Sequence, residues 1–333
     1  MINDDLRSVA KLILKEKQFV IATHTQPDGD AIGSLLGLGL LLKRMNKKSF
    51  ASWGESIVIP PQYAFLPGLE LIQDPKECPK KPSNFIAIDC ASLKRLGILK
   101  KSAQNASILV NIDHHGDNDK FGHINVVDEN ISACAELIFY LSKNLNQKLN
   151  RDIALCLYTG MVTDTGRFQY SNTSIQTFQA AKELLEYGIS PNYVFQNVYE
   201  NIPFSYTKLL GLSLSKAKFL PNLGFIYTLI LQKDLASTEA RMEEAENLID
   251  FLRAVKGTRV AAVLKEMSNG SIRVSLRSRG GINVAKIAEI FGGGGHPDAA
   301  GYISSHDPDK TLEVLLKIIS EEVLRMRRMC KRE

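Results

Sequence analysis

Short apolar runs alternate with longer stretches of helical character through the first half of the chain, and each run ends on polar residues. Phe19-Val20-Ile21-Ala22-Thr23 is β-prone, and a helix is expected after it from about Ala31 to Met45, closed by Asn46 and two lysines. Phe85-Ile86-Ala87-Ile88 repeats the pattern before Asp89, and Ile108-Leu109-Val110-Asn111-Ile112 repeats it before Asp113. Further helices are expected from Ala133 to Lys143, Arg151 to Thr163 and Thr173 to Tyr187. Apolar strands that each deliver an acid at the C-terminal end predict an α/β fold with a parallel sheet, and ligands of such sheets sit in the crevice at the strand ends.

The pattern changes after Tyr187. The segment from Gly188 to about Thr207 holds Pro191, Pro203 and several aromatics and reads as a connector. It divides the chain into a domain at 1–187, a connector at 188–215 and a second, smaller α/β domain at 216–333. There, Leu223 to Leu231 and Arg259 to Met267 read as strands, and Ser268-Asn269-Gly270-Ser271 reads as a hairpin turn into a strand from Ile272 to Arg277. Helices are expected from Ala240 to Val255, Asn283 to Phe291 and Thr311 to Met329. Two domains also suit a length of 333 residues.

Composition narrows the class. A hydrophobic fraction of 44% and a charged fraction of 23% are those of a globular, core-forming protein. The longest apolar run, Ile32 to Leu42, is interrupted by Ser34 and three glycines and falls short of the ~18 residues of a membrane helix. Met1-Ile2-Asn3-Asp4-Asp5 carries acids where a secretory signal carries bases, so a cytoplasmic protein without membrane contact is expected. Cys78, Cys90, Cys134, Cys156 and Cys330 are odd in number and form no C-x-x-C pair, which predicts reduced thiols without a disulfide framework or zinc–thiolate site. Of the 41 basic and 36 acidic residues, 19 and 15 lie from Lys216 onward. That modest excess in the second domain suits a small anionic ligand and is too weak for long duplex DNA. Arg325, Arg327, Arg328, Lys331 and Arg332 read as the solvated end of the last helix.

The candidate chemistry begins at His24-Thr25-Gln26-Pro27-Asp28-Gly29-Asp30, which sets one imidazole and two carboxylates within seven residues of a strand end. Such N/O donors suit Mn²⁺, Mg²⁺ or Zn²⁺, with Mn²⁺ favoured where carboxylates outnumber imidazoles. Gly29 lets the backbone turn so that Asp28 and Asp30 can face different ions; capping of the next helix is the plainer role for both acids. Asp89, Asp113-His114-His115 and Asp164 in Thr163-Asp164-Thr165-Gly166 add further acids and imidazoles, each of which taken alone also reads as a cap, turn or surface pair. Adjacent side chains point different ways, so one of the two histidines can face metal and the other substrate. Together, His24, Asp28, Asp30, Asp89, His114 and Asp164 bring too many acids into one place to stand without cations. Two divalent ions about 3.5–4 Å apart, sharing a carboxylate, would neutralise them, an arrangement used for phosphoryl hydrolysis.

The second domain carries Gly292-Gly293-Gly294-Gly295-His296-Pro297-Asp298-Ala299-Ala300-Gly301. Consecutive glycines expose backbone N–H groups to a phosphate, and His296 adds a donor; a flexible hinge is the alternative. Arg277-Ser278-Arg279 offers guanidinium groups and a hydroxyl to an anion, or is solvated surface.

In order and spacing, His24…Asp28-x-Asp30, Asp89-Cys90-Ala91, Asp113-His114-His115 and Thr163-Asp164-Thr165-Gly166 resemble the four motifs of the DHH phosphoesterase superfamily. Gly293 to Gly301 is similar to the G-G-G-H-x-x-A-[AS]-G motif of its associated C-terminal domain, so the resemblance spans the whole chain. It implies a first metal held by His24, Asp28 and Asp89, and a second held by Asp30, Asp89, His114 and Asp164, with Asp89 bridging. It assigns the substrate phosphate and leaving oxygen to His115, and the orientation of His114 to Asp113. It implies a second domain across a cleft that holds the nucleotide through Arg277, Ser278, Arg279, Gly294, Gly295 and His296, with Arg167 and Asn172 as weaker candidates. The implied cofactors are two divalent ions, Mn²⁺ before Mg²⁺ or Co²⁺.

Length argues against the long-strand exonucleases of the superfamily, and the glycine–histidine segment argues against its family II pyrophosphatases. The branch left resembles enzymes that hydrolyse short oligoribonucleotides and 3′-phosphoadenosine 5′-phosphate (pAp) with a hydroxide activated by two metals. A linear or cyclic dinucleotide phosphodiesterase and a non-catalytic nucleotide-binding regulator are the alternatives. The expected partner is short RNA or a nucleotide, and Tyr193, Phe195 and Tyr199 suit a homodimer contact or packing between domains equally well.

Overall fold

The computed structural model describes residues 2–245, 248–279 and 281–329. The chain divides between Asn201 and Ile202 into two compact units. The first runs α1 (Ile2–Lys15), β1 (Gln18–Thr23), α2 (Gly29–Arg44), β2 (Lys48–Trp53), β3 (Asn84–Ile88), α3 (Lys100–Gln104), β4 (Ile108–Asp113), β5 (Ile124–Val127), α4 (Cys134–Asn144), α5 (Arg151–Asp164), α6 (Ile175–Leu185) and α7 (Pro191–Tyr199). Its five strands form one sheet, ordered β2-β1-β3-β4-β5, and every neighbouring pair is parallel.

Alternate residues of the central strands feed opposite faces of the sheet, as a period of two requires. Ile21, Ile86, Ile88, Val110 and Ile112 join the larger core with α1, α2, α4 and α5. Val20, Ala22, Phe85, Ala87 and Leu109 face the other way, onto Leu96, Leu99 and Ala103. Both faces are covered, so β3 is buried along its whole length and reads as an unbroken apolar run. The glycines that interrupt the apolar run of α2 have a packing role. A Cβ on Gly33 would come within 2.5 Å of the Cys156 carbonyl oxygen, so α2 lies directly against α5.

The second unit runs α8 (Phe204–Lys216), β6 (Lys218–Leu220), β7 (Phe225–Ile230), α9 (Gln232–Thr238), α10 (Leu248–Arg253), β8 (Val260–Glu266), β9 (Ile272–Ser278), α11 (Val284–Glu289), β10 (Gly294–His296), β11 (Ala299–Ser304) and α12 (Pro308–Met329). Its sheet is ordered β10-β11-β9-β8-β7-β6, with only β7 and β8 parallel. One face packs on α11 and α12 through Val274, Leu276, Val284, Leu315 and Ile319. The other packs on α8, α9 and α10 through Ile226, Val263, Leu209, Leu235 and Leu252.

Most of the stretch read as a connector is helical, in α7 and α8. Its aromatics make contacts inside the first unit. Tyr193 packs edge-on against Phe65 at 5.5 Å, and Tyr199 and Phe195 lie beneath the Arg167 guanidinium at 4.3 and 5.7 Å, all within the first unit. The single helix expected from Ala240 to Val255 is instead a 3-10 turn at Met242–Ala245 and the short α10, with residues 246 and 247 outside the described part. Cys330, Lys331 and Arg332 also lie outside it. Among the described residues, no helix is long and apolar enough to cross a membrane.

Candidate metal centre

Strands β1, β3 and β4 are neighbours and parallel, so their C-terminal ends emerge along one edge of the first sheet. His24 follows β1, Asp89 follows β3, and Asp113 closes β4 ahead of His114 and His115. Asp28 caps α2, its Oδ1 accepting from the Asp30 and Ala31 N–H groups, so the capping role read from the sequence is real and coexists with the site. Asp30 lies in the first turn of the same helix, and Asp164 is the last residue of α5.

These elements bring the donors together in three groups, each with its ligand atoms within 4.8 Å: His24, Asp28 and Asp89; Asp30, Asp89, His114 and Cys134; and Asp89, Asp113 and His115. Asp89 belongs to all three, and its two oxygens face different partners. Oδ2 lies 3.5 Å from His24 Nε2, and Oδ1 lies 3.6 Å from His114 Nε2. His114 Nε2 is also 3.5 Å from Asp164 Oδ2 and 3.8 Å from Asp30 Oδ2. His24 Nδ1 stands 2.8 Å from the Thr25 carbonyl, which can only accept, so Nδ1 carries a proton and Nε2 is the ring nitrogen turned to the site, available to a metal ion.

Asp113 departs from its expected role. Its Oδ1 accepts from the backbone N–H of His114 and sits 2.7 Å from Nδ1 of His115. Asp113 thus meets the ring of His115 and the backbone of His114, while the two rings lie side by side with centroids 4.8 Å apart. Cys134, expected from the sequence only as a reduced thiol, enters the second group. Its Sγ is 3.6 Å from Asp89 Oδ1, and its N–H and that of Ala135 donate to the two oxygens of Asp30 at 2.6 and 2.9 Å. Ser34, one helical turn after Asp30, adds a third donor at 3.0 Å. Asn172 holds the backbone carbonyls of Ser132 and Asp164 rather than a side chain of the site.

The electrostatics follow from how closely these acids are packed. Burial, then the charges of Asp89 and Asp164, raise Asp30 well above the usual carboxylate range despite its three hydrogen bonds. Burial, with Asp28 and Asp89 nearby, pushes Asp164 up to about 8. Asp89 is held down at about 2: burial opposes its charge, but His24, His114 and His115 together outweigh it. The hydrogen bond to Asp113 raises His115 to about 9. Acids crowded this closely can all ionise only if cations lie among them, so the donor set fits divalent ions.

In the second unit, Arg277 on β9 pairs with Ala299 on β11, which pairs with His296 on β10, placing positions 277 and 296 in one cross-strand row. Arg277 is half-buried and Arg279 exposed, whereas Ser278 faces the opposite side at 3% exposure, its hydroxyl without a hydrogen-bond partner among the described residues. The side chain of His296 lies outside the described part. Gly294 has open space where a Cβ would stand, while a Cβ on Gly295 would meet the Ala299 carbonyl oxygen at 2.4 Å. The glycine segment is thus an edge hairpin and not a loose hinge.

Residues 18–161 match the DHH family, N-terminal domain, and residues 222–324 match the DHHA1 domain. The chain is 35% identical over 325 residues to the bifunctional oligoribonuclease and PAP phosphatase NrnA of Thermus thermophilus, covering 97% of this chain and 95% of that one. It is 30% identical over 287 residues to the protein of the same description from Bacillus subtilis, covering 85% and 88%. An exopolyphosphatase-related protein from Bacteroides fragilis superposes with a TM-score of 0.91 at 25% identity over 98% of each chain.

Proposed function

The chain belongs to the DHH phosphoesterase family and is a phosphoesterase, and on that premise we propose that it hydrolyses phosphate esters in very short oligoribonucleotides and in pAp. The observation that carries this reading is the sharing of Asp89, whose oxygens face His24 on one side and His114 on the other. We assign one divalent ion to His24, Asp28 and Asp89, and a second to Asp30, Asp89, His114 and Asp164, with Mn²⁺ preferred because carboxylates outnumber imidazoles. Two such ions supply Lewis acidity at the phosphoryl oxygens and a water acidic enough to ionise near neutral pH. Asp113 fixes the His115 ring by Nδ1, which leaves Nε2 to bond the substrate phosphate or the leaving oxygen. Arg277, Arg279, Gly294, Gly295 and His296 hold the nucleotide, with the Ser278 hydroxyl behind them.

The test is hydrolysis of pAp and of a diribonucleotide, with pyrophosphate and a cyclic dinucleotide as contrasts. We expect the first two to be turned over, chelation to abolish turnover, and Mn²⁺ to restore it better than Ca²⁺, a weaker Lewis acid that prefers looser, oxygen-rich coordination. Full activity after exhaustive chelation overturns the reading.

A second expectation follows from the raised pKa values. In the chelated protein, Asp164 and Asp30 keep protons that the unfolded chain loses near pH 4. His115 keeps one that the unfolded chain loses near pH 6.5. The folded state binds more protons between about pH 4 and 9, so its stability falls as pH rises through that window. Bound divalent ions replace those protons. Saturating Mn²⁺ should therefore raise Tm more at pH 8 than at pH 5, and equal increments would count against the assignment.

A further inference from the structure

Asn118 lies outside the three donor groups, yet both N–H donors of its side-chain amide are engaged in the framework of the site. One reaches the Cys90 carbonyl at 3.2 Å, and the other reaches Oδ2 of Asp113. The first contact stabilises a turn under strain. Asp89 sits at φ +54, a left-handed conformation that non-glycine residues adopt only where the surroundings impose it. The turn is pinned on one side by the Asp89 N–H bonded to the Ile112 carbonyl at 2.9 Å. On the other it is pinned by the Cys90 carbonyl, which accepts from Asn111 at 3.1 Å as well as from Asn118. The second contact reaches the very carboxylate whose other oxygen orients His115. Asn118 is fixed in turn by its own loop: its Oδ1 accepts the Lys120 N–H at 2.6 Å, and the Asp119 N–H bonds the Ala91 carbonyl at 2.9 Å.

We infer that Asn118 is a positioning residue that ties the turn carrying Asp89 to the carboxylate of Asp113, so that the shared ligand and the His115 ring are set together. The inference rests on the ligand and substrate roles proposed above.

Asn118→Asp is the discriminating variant. It keeps the size of the side chain and the oxygen that accepts the Lys120 N–H, so the loop retains its turn, but it has no N–H to give. The new carboxylate also repels that of Asp113 beside it, so Asn118→Ala, which removes the donors without adding charge, is the control that separates the two effects. The expected result is a Mn²⁺ affinity lowered by about 10- to 100-fold, measured with Mn²⁺ alone, and a kcat lowered by a similar factor with KM within about threefold. Tm should stay within a few degrees of the parent. Asn118→Ala, which also loses the turn acceptor, should show the same losses together with a lower Tm. Unchanged Mn²⁺ affinity in Asn118→Asp, whatever happens to Tm, overturns the inference. The binding measurement needs no substrate, so it stands apart from any failure of the proposed substrate class.

Discussion

Asp89→Asn should lower kcat by more than about 10³-fold and leave the protein unable to hold two ions at once. A single preorganised group that stabilises transition-state charge is worth about 10²- to 10³-fold, and in the proposed assignment Asp89 would act on both ions. It belongs to every donor group of the centre, and it is 2% exposed, so water cannot replace its charge. Asparagine is the right replacement because it has the same shape and, like aspartate, tolerates the left-handed φ of +54 found here. Alanine at this position would add backbone strain to the loss of charge. Metal content by mass spectrometry, read beside kcat and Tm, checks the prediction. Asp28→Asn provides the contrast, since it touches one group only and should spare the second ion. Two tightly bound ions retained in Asp89→Asn would rule out a shared ligand.

Why these residues could be found from the sequence, while their supports could not, has a physical explanation. A parallel sheet covered on both faces forces its strands to be apolar throughout, so the first acid after each run marks the strand end. That is how Asp89 and Asp113 stand out after Ile88 and Ile112. Helix caps are similarly local, and Asp28 is one. Contacts set by tertiary folding leave no such trace. The N–H groups that hold Asp30 come from Cys134 and Ala135, more than a hundred residues away, and they are backbone groups that any residue supplies. Asn118 is one polar residue in a polar loop. Which histidine Asp113 orients depends on side-chain directions past the end of β4, and spacing alone does not fix them.

Some strands went unread in the sequence for other reasons. Both β2 and β5 lie at the edges of their sheet, and each is short or polar enough to lack the apolar run of a central strand. Gly294–His296 forms a strand only because β11 supplies its partner, since glycine has no strand preference of its own. The motif marks that segment in the sequence, while its glycines left a flexible hinge as the alternative.

The hairpin leads to a prediction about how the two units divide their work. Arg277→Ala should weaken nucleotide substrates and leave metal binding intact. Arg277 is half-buried, with Nη1 bonded to the Leu276 carbonyl at 3.1 Å, so its guanidinium is held in place before any ligand arrives. It shares a cross-strand row with His296, on whose strand Gly294 leaves the backbone open. Loss of one charge-assisted hydrogen bond costs about 1.5–3 kcal/mol, or roughly 10- to 150-fold in kcat/KM. If the contact is equally strong in ground and transition states, the loss falls on KM. His296→Ala should behave in the same way. A small phosphate ester without a nucleoside offers these residues nothing to hold, so its hydrolysis should change by less than about threefold in either variant. Comparing pAp with such an ester in the same variant, with Mn²⁺ affinity measured alongside, decides the matter. Equal losses on both substrates would mean that Arg277 serves the chemistry or the fold, and nucleotide recognition would have to be assigned elsewhere.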